Sequence, residues 1–192
     1  MHKAILLLCA GNSSRLGRPK QLLEWKGKSI LEHIIEKLNT LNIPILAITG
    51  GYHDQMVSVL KKNNIETVYC SGWASGMSES IKFGVQSLLK QTPDLQKIMI
   101  VLSDIPLIER SHYEAILHQS ETSKIVISQF QKVKGVPAVF DAAFFTKLME
   151  LKGDQGAKPI IQEHSKEVTI LSSKQPFFDV DTEEDYQKLL DY

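Results

Sequence analysis

Hydrophobic positions along the chain alternate between two rhythms. Ala4–Leu8, Ile45–Thr49 and Ile98–Leu102 are nearly continuous apolar runs of strand length, the pattern of strands covered on both faces. Shorter runs at Thr67–Tyr69, Lys124–Ile127, Ala138–Phe140, Val168–Leu171 and Phe177–Val180 read as further strands. Between them the period lengthens to that of a helix. Ser29 to Leu41 sets Ile30, Leu31, Ile34, Ile35, Leu38 and Leu41 on one stripe, opened by the capping box Ser29-x-x-Glu32. Ser78 to Lys90 repeats the pattern with Ile81, Val85, Leu88 and Leu89, and Thr182 caps a last helix whose first turn carries Glu183, Glu184 and Asp185. Alternating β and α elements without repeat or linker predict one α/β domain over 1–192, a mostly parallel sheet covered by helices on both faces. In such folds ligands bind beyond the carboxyl ends of the strands.

Composition narrows the class. The 192 residues suit one domain with a substantial core, and Lys+Arg balance Asp+Glu at 22 each, so net charge draws the chain toward neither nucleic acid nor a membrane. No apolar run approaches the ~20 residues of a membrane span, and the first residues lack a secretory pattern. Cys9 and Cys70 make neither a disulfide framework nor a zinc site. A cytoplasmic enzyme is the economical reading.

The first apolar run opens into Leu8-Cys9-Ala10-Gly11-Asn12-Ser13-Ser14-Arg15-Leu16-Gly17-Arg18-Pro19-Lys20. A buried strand feeding a small, Gly- and Ser-rich loop offers backbone N–H groups and positive charge to phosphates. Asn12 to Lys28 carries five cations (Arg15, Arg18, Lys20, Lys26, Lys28) against one anion, Glu24. Arg15 supplies a planar fork of donors, and Lys20 a point charge delivered from a turn stiffened by Pro19. The loop is neither a Walker loop, since five residues separate Gly11 from Gly17 and Arg-Pro follows, nor a Gly-x-Gly-x-x-Gly fingerprint.

Two acidic segments stand out. Asp104 follows the strand Ile98–Leu102 and leads into Ile105-Pro106, a place suited to holding Mg²⁺ and equally the pattern of an ordinary turn. Asp179-Val180-Asp181-Thr182 precedes the last helix, where one carboxylate can serve a metal and the other cap or orient. Gly72 to Ser80 is a flexible turn entering a helix. Small residues there, Gly76 among them, let a ribose or base lie on the backbone, with Ser78 or Ser80 as hydroxyl donor. The six histidines lack metal-ligand spacing and read as surface or core residues.

The segment Leu8 to Gly17 with Lys20 resembles the Leu-Ala-Ala-Gly-x-Ser-x-Arg-Met-Gly…Lys signature of the MobA-like nucleotidyltransferases, most closely their molybdenum cofactor cytidylyltransferase branch. Trp73–Gly84, Ser103–Ile108, Gly135–Phe140, Gly153–Lys158 and Asp179–Tyr186 are similar to later segments of that branch, in order. The resemblance implies a Rossmann-like, GT-A-like three-layer α/β/α nucleotidyltransferase fold and a Mg²⁺-dependent transfer of a nucleoside monophosphate, with pyrophosphate leaving. It implies CTP as donor and a phosphorylated molybdopterin-type pterin as acceptor, with an apo molybdoenzyme or its chaperone downstream. It assigns Leu8, Ala10, Gly11, Asn12, Ser13, Ser14, Arg15, Lys20, Gly76, Ser78 and Ser80 to the nucleotide. Arg15 and Lys20 take the catalytic charge, Asp104 and Asp181 the metal. Gly135, Pro137, Gly153, Asp154, Gly156 and Ala157 fall on the acceptor side. Relatives often carry His where Val136 stands and Arg where Lys158 stands. The first change removes a hydrogen bond near the acceptor, and the second replaces a fork by a point charge. Ala10, where guanylyl relatives carry a second Gly, narrows the space over the base and favours CTP.

Other readings of the same residues are a different small-phosphate nucleotidyltransferase, a glycosyltransferase using Asp179-Val180-Asp181 on a nucleotide-sugar, and a pterin-carrying chaperone without catalysis. The last two leave the cationic loop or the paired carboxylates without a purpose.

Overall fold

A computed structural model describes residues 2–174 and 176–192. In chain order, β1 (Lys3–Cys9) leads through the cationic loop to a small ribbon, β2 (Glu24–Trp25) and β3 (Lys28–Ser29). Then come α1 (Ile30–Asn39), β4 (Ile45–Thr49), α2 (His53–Lys62), β5 (Glu66–Tyr69), α3 (Met77–Gln91) and β6 (Lys97–Leu102). The second half holds α4 (Arg110–Gln119), β7 (Ile125–Phe130), β8 (Val133–Asp141), α5 (Phe145–Met149), α6 (Lys158–Glu163), β9 (Val168–Ser173) and α7 (Glu183–Leu190).

The larger sheet has seven strands in the order β5-β4-β1-β6-β8-β7-β9. All neighbours are parallel except β8, which runs against both β6 and β7. Period-two alternation explains the layers. Ile5, Leu7 and Cys9 of β1 pack into one core with Ile30, Ile34 and Leu38 of α1, while Leu6 and Leu8 face Ile81 and Val85 of α3 on the other side. Each such side chain contributes roughly 1.5–3 kcal/mol by leaving water. Gly84 lets α3 lie close to the sheet, since a Cβ there would stand 2.3 Å from Leu6 Cδ1.

Two of the three expected helix starts form as capping boxes, and the third helix begins at Met77 rather than Ser78. Ser29 Oγ accepts from Glu32 N–H while Glu32 accepts from Ser29 N–H, and Thr182 and Asp185 repeat the exchange ahead of α7. Cys9 and Cys70 are buried free thiols. Among the described residues, no helix is long and apolar enough to cross a membrane.

Three sequence expectations need correction. Phe177–Val180 is not a strand, because it crosses the end of the sheet with Val180 N–H donating to Asp104 O at 3.1 Å. The segment Ala138–Phe140 lies near the end of the nine-residue β8, and the run expected over Lys124–Ile127 becomes β7, Ile125–Phe130. Helices α2, α4, α5 and α6 lie outside the sequence expectation; α2, for one, buries only Met56 and Leu60, too thin a stripe for a visible period.

The carboxyl ends of β1, β4, β5 and β6 share one edge of the sheet. Because β8 is antiparallel and pairs Ala138 with Ile100, Gly135 and Pro137 arrive at that same edge.

Candidate active site

The loop after β1 folds back on itself. Ser13 takes a left-handed φ of 48°, its carbonyl accepts the N–H groups of Leu16 and Gly17, and its hydroxyl accepts Lys20 N–H at 3.2 Å. Ser13 therefore closes the loop with the group expected to meet a ligand. The N–H groups of Asn12, Ser13 and Ser14 donate to no other described residue, which leaves them open to an anion.

Pro19, at φ −64°, starts the short 3₁₀ turn Lys20–Leu22 and sends the Lys20 side chain inward. Its Nζ lies 2.5 Å from Asp104 Oδ2 and 2.5 Å from Asp181 Oδ1, with the side chain only 12% exposed. Arg15, 71% exposed, reaches the other oxygen of Asp181 at 3.0 Å. Burial works to lower the Lys20 pKa, but the carboxylates of Asp104 and Asp181 outweigh it and hold the ammonium above its ordinary value. Burial, with the charges of Asp181 and Asp104, pushes the Asp179 carboxyl above its ordinary value.

Two elements hold Asp104. Ser103 Oγ donates to Leu8 O at 2.7 Å, joining the ends of β6 and β1. From α1, Lys37 Nζ donates to Pro106 O at 2.6 Å and Ile108 O at 3.0 Å, and its burial lowers its pKa. The remaining Asp104 oxygen, Oδ1, is buried without a hydrogen-bond partner. Two carboxylates converging on a cation, with a further oxygen of Asp104 unpaired, suit a divalent ion such as Mg²⁺ that takes its other ligands from phosphates and water. Among the described residues, no three His, Cys, Asp or Glu side chains gather at metal-binding distance. Asp104 and Asp181 are the two carboxylates that meet at Lys20 Nζ.

A cleft of about 410 Å³ runs from this charge cluster along the sheet edge. Leu8, Ala10, Gly11 and Asn12 line one side, Gly76 and Ser80 the other, with Lys20, Asp104 and Asp154 also on its walls. Ser14 and Arg15 lie farther out on the loop. Gly153 lines a neighbouring hollow that shares Ser75 with the cleft. Gly156 and Ala157 precede α6, and a Cβ on Gly156 would stand 2.9 Å from Met77 Sδ.

Several expected roles change. Ser78 is fully buried and its hydroxyl donates to Lys152 O at 3.2 Å, so of the two candidate serines only Ser80 faces the cleft. Asp154 accepts from Met77 N–H at 2.8 Å and Gly153 O from Ser78 N–H at 3.2 Å, so this segment, expected on the acceptor side, caps α3. Gly76 permits the junction with φ +109°, and a Cβ there would meet Gly153 O at 2.7 Å. Three of the five loop cations turn away from the cleft: Arg18 to Glu183, Lys26 to Tyr192 O and Lys28 to Glu36. Trp73 and Met77, from the expected Gly72–Ser80 turn, line the cleft, as does Gln21, which the sequence does not point to. Gln21 is buried with Oε1 unpaired, and its only sequence signal is a polar residue directly ahead of Leu22-Leu23.

Known proteins agree with this architecture. The chain is 31% identical to the bifunctional protein GlmU of Francisella tularensis subsp. novicida over 124 residues, 61% of this chain and 25% of that protein. The matched part thus spans about a quarter of the length of these curated relatives. Rv0371c from Mycobacterium tuberculosis H37Rv superposes over the whole of both chains with TM-score 0.85 at 23% identity. Its complex with manganese gives TM-score 0.83 at 21% identity over 100% and 99%. The 4-diphosphocytidyl-2C-methyl-D-erythritol synthase of Anaerococcus prevotii gives TM-score 0.81 at 15% identity over 100% and 95%. At these identities the structures establish the fold. The model of the MobA-like NTP transferase domain matches residues 5–168, so the chain belongs to that family.

Proposed function

We propose that the protein, as a single domain over 1–192, transfers a cytidylyl group from CTP to the phosphate of a molybdopterin-type acceptor and releases pyrophosphate. The observation that carries this reading is the meeting of Lys20, Asp104 and Asp181 beneath a loop with open amides, beside a cleft of nucleotide size.

The amides of Asn12 to Ser14 receive the triphosphate, and Arg15 and Lys20 meet the charge that grows on the departing pyrophosphate. Asp104 and Asp181 hold Mg²⁺, which supplies charge neutralisation across the phosphates when bound. Manganese in the Rv0371c complex supports a divalent ion in this fold. Ser80, Gly76 and Ala10 border the base and ribose. The segments at Gly135–Pro137 and Gly153–Ala157 present the acceptor from the same edge, Gly153 and Asp154 by fixing the start of α3. The acceptor is already an anionic phosphate, so positioning and charge carry the reaction and no strong general base is required. Support for cytidine comes from the methyl of Ala10 on the cleft wall and from the cytidyl chemistry in the name of the Anaerococcus synthase. That name also favours a second reading, in which the acceptor is another small organic phosphate.

The test is pyrophosphate release from each of the four nucleoside triphosphates with molybdenum-loaded pterin and Mg²⁺. CTP is expected to lead. Release only with GTP overturns the cytidylyl assignment, and release only with other phosphate acceptors overturns the pterin.

A further inference from the structure

Lys20 Nζ occupies the point where Asp104 Oδ2 and Asp181 Oδ1 converge, at 2.5 Å from each. A Mg²⁺ ion bound to the same two oxygens would sit ~2.1 Å from each of them. The ammonium and a metal on those same two oxygens therefore exclude each other. The Lys20 main chain is anchored, its N–H on Ser13 Oγ, while the four-carbon stem leaves Nζ free to swing. The anion that could receive it is a polyphosphate on the open amides of Asn12 to Ser14, on the same loop.

We propose that Lys20 is a built-in cation that holds the Asp104–Asp181 pair until nucleotide arrives, and that the divalent ion enters only as the polyphosphate draws the ammonium away. The inference rests on the reading of those two aspartates as metal ligands. Metal and nucleotide binding are then mutually dependent: each must strengthen the other by the same factor. The device keeps the carboxylates close together in the empty enzyme and prevents an idle metal site.

The experiment measures Mn²⁺ binding to the full chain without nucleotide, from the loss of the free-ion EPR signal, in wild type and Lys20→Met. Wild type is expected to bind weakly, and CTP to tighten it. Lys20→Met is expected to bind Mn²⁺ alone at least ~10-fold more tightly than wild type, a typical size for such coupling. Its melting temperature should rise with millimolar Mn²⁺ while that of wild type does not, because the metal replaces the missing cation. An affinity within threefold of wild type overturns the proposal, and so does a Lys20→Met chain that stays unfolded in millimolar Mn²⁺. Asp104→Asn separates the two levels. If it abolishes CTP-dependent Mn²⁺ uptake while Lys20→Met binds like wild type, the interlock falls and the metal assignment stands. If Asp104→Asn leaves Mn²⁺ uptake unchanged, the metal assignment falls, and the interlock with it.

Discussion

The main-chain N–H of Val180 donates to the carbonyl oxygen of Asp104 at 3.1 Å. This one bond draws the segment before α7 across the loop after β6 and sets the Asp181 carboxylate beside that of Asp104. The capping box of Thr182 and Asp185 fixes the direction in which the chain leaves, with Asp185 Oδ2 also accepting from Asp181 N–H at 3.2 Å. Two acidic motifs far apart in the sequence thereby face one lysine.

Lys20→Ala is expected to lower kcat far more than it weakens nucleotide binding. Losing one group that meets developing charge typically costs ~3 kcal/mol, about a hundredfold in rate. Steady-state kinetics at saturating nucleotide and Mg²⁺ check this, and turnover within threefold of wild type removes Lys20 from the reaction.

Asp104→Asn and Asp181→Asn should each raise the Mg²⁺ concentration needed for half-maximal rate. The double variant should lose less than the product of the two, because groups that share one ion act together. Strict additivity, or an unchanged Mg²⁺ dependence in Asp181→Asn, would confine Asp181 to pairing with Arg15 and Lys20.

Ala10→Gly should let GTP compete better against CTP, by ~1–3 kcal/mol in the kcat/KM ratio for one methyl on a pocket wall. The change should cost under ~1 kcal/mol of stability through unfolded-state entropy, which a thermal melt monitors. Both nucleotides compete in one reaction and the two products are quantified. An unaltered ratio places base selection in Gly76 to Ser80.

Thr182→Ala should destabilise the fold by ~1 kcal/mol, the usual worth of an N-cap, and loosen Asp181 with it. The Thr182 hydroxyl and the backbone N–H groups around it hold the Asp185 carboxyl below its ordinary value. A group lowered on folding stabilises above its unfolded pKa and loses that effect as pH falls through the folded one. The gap between wild type and Thr182→Ala in urea midpoints should thus be full near neutrality and shrink in acid, below the ordinary aspartate range near ~3.9. A gap independent of pH down to the acid limit would show that Asp185 gains nothing from the cap.

Features held within a few residues were legible in the sequence. Capping boxes close over three positions, and β1, β4 and β6 announce themselves because a strand buried on both faces must be apolar throughout. The cationic loop was readable as a phosphate loop because its small residues and charges are contiguous. The partners of those charges were not. Lys20 and Asp181 stand 161 residues apart, and only the sheet order, with β6 beside β1 and the final segment laid over both, brings them together. Ser78 and Ser80 are indistinguishable by type and both buried, yet the turn of α3 sets one against Lys152 and the other on the cleft wall. Phe177–Val180 has the composition of a strand, but a strand also needs a neighbour with free ladder groups, and that is decided by the rest of the fold.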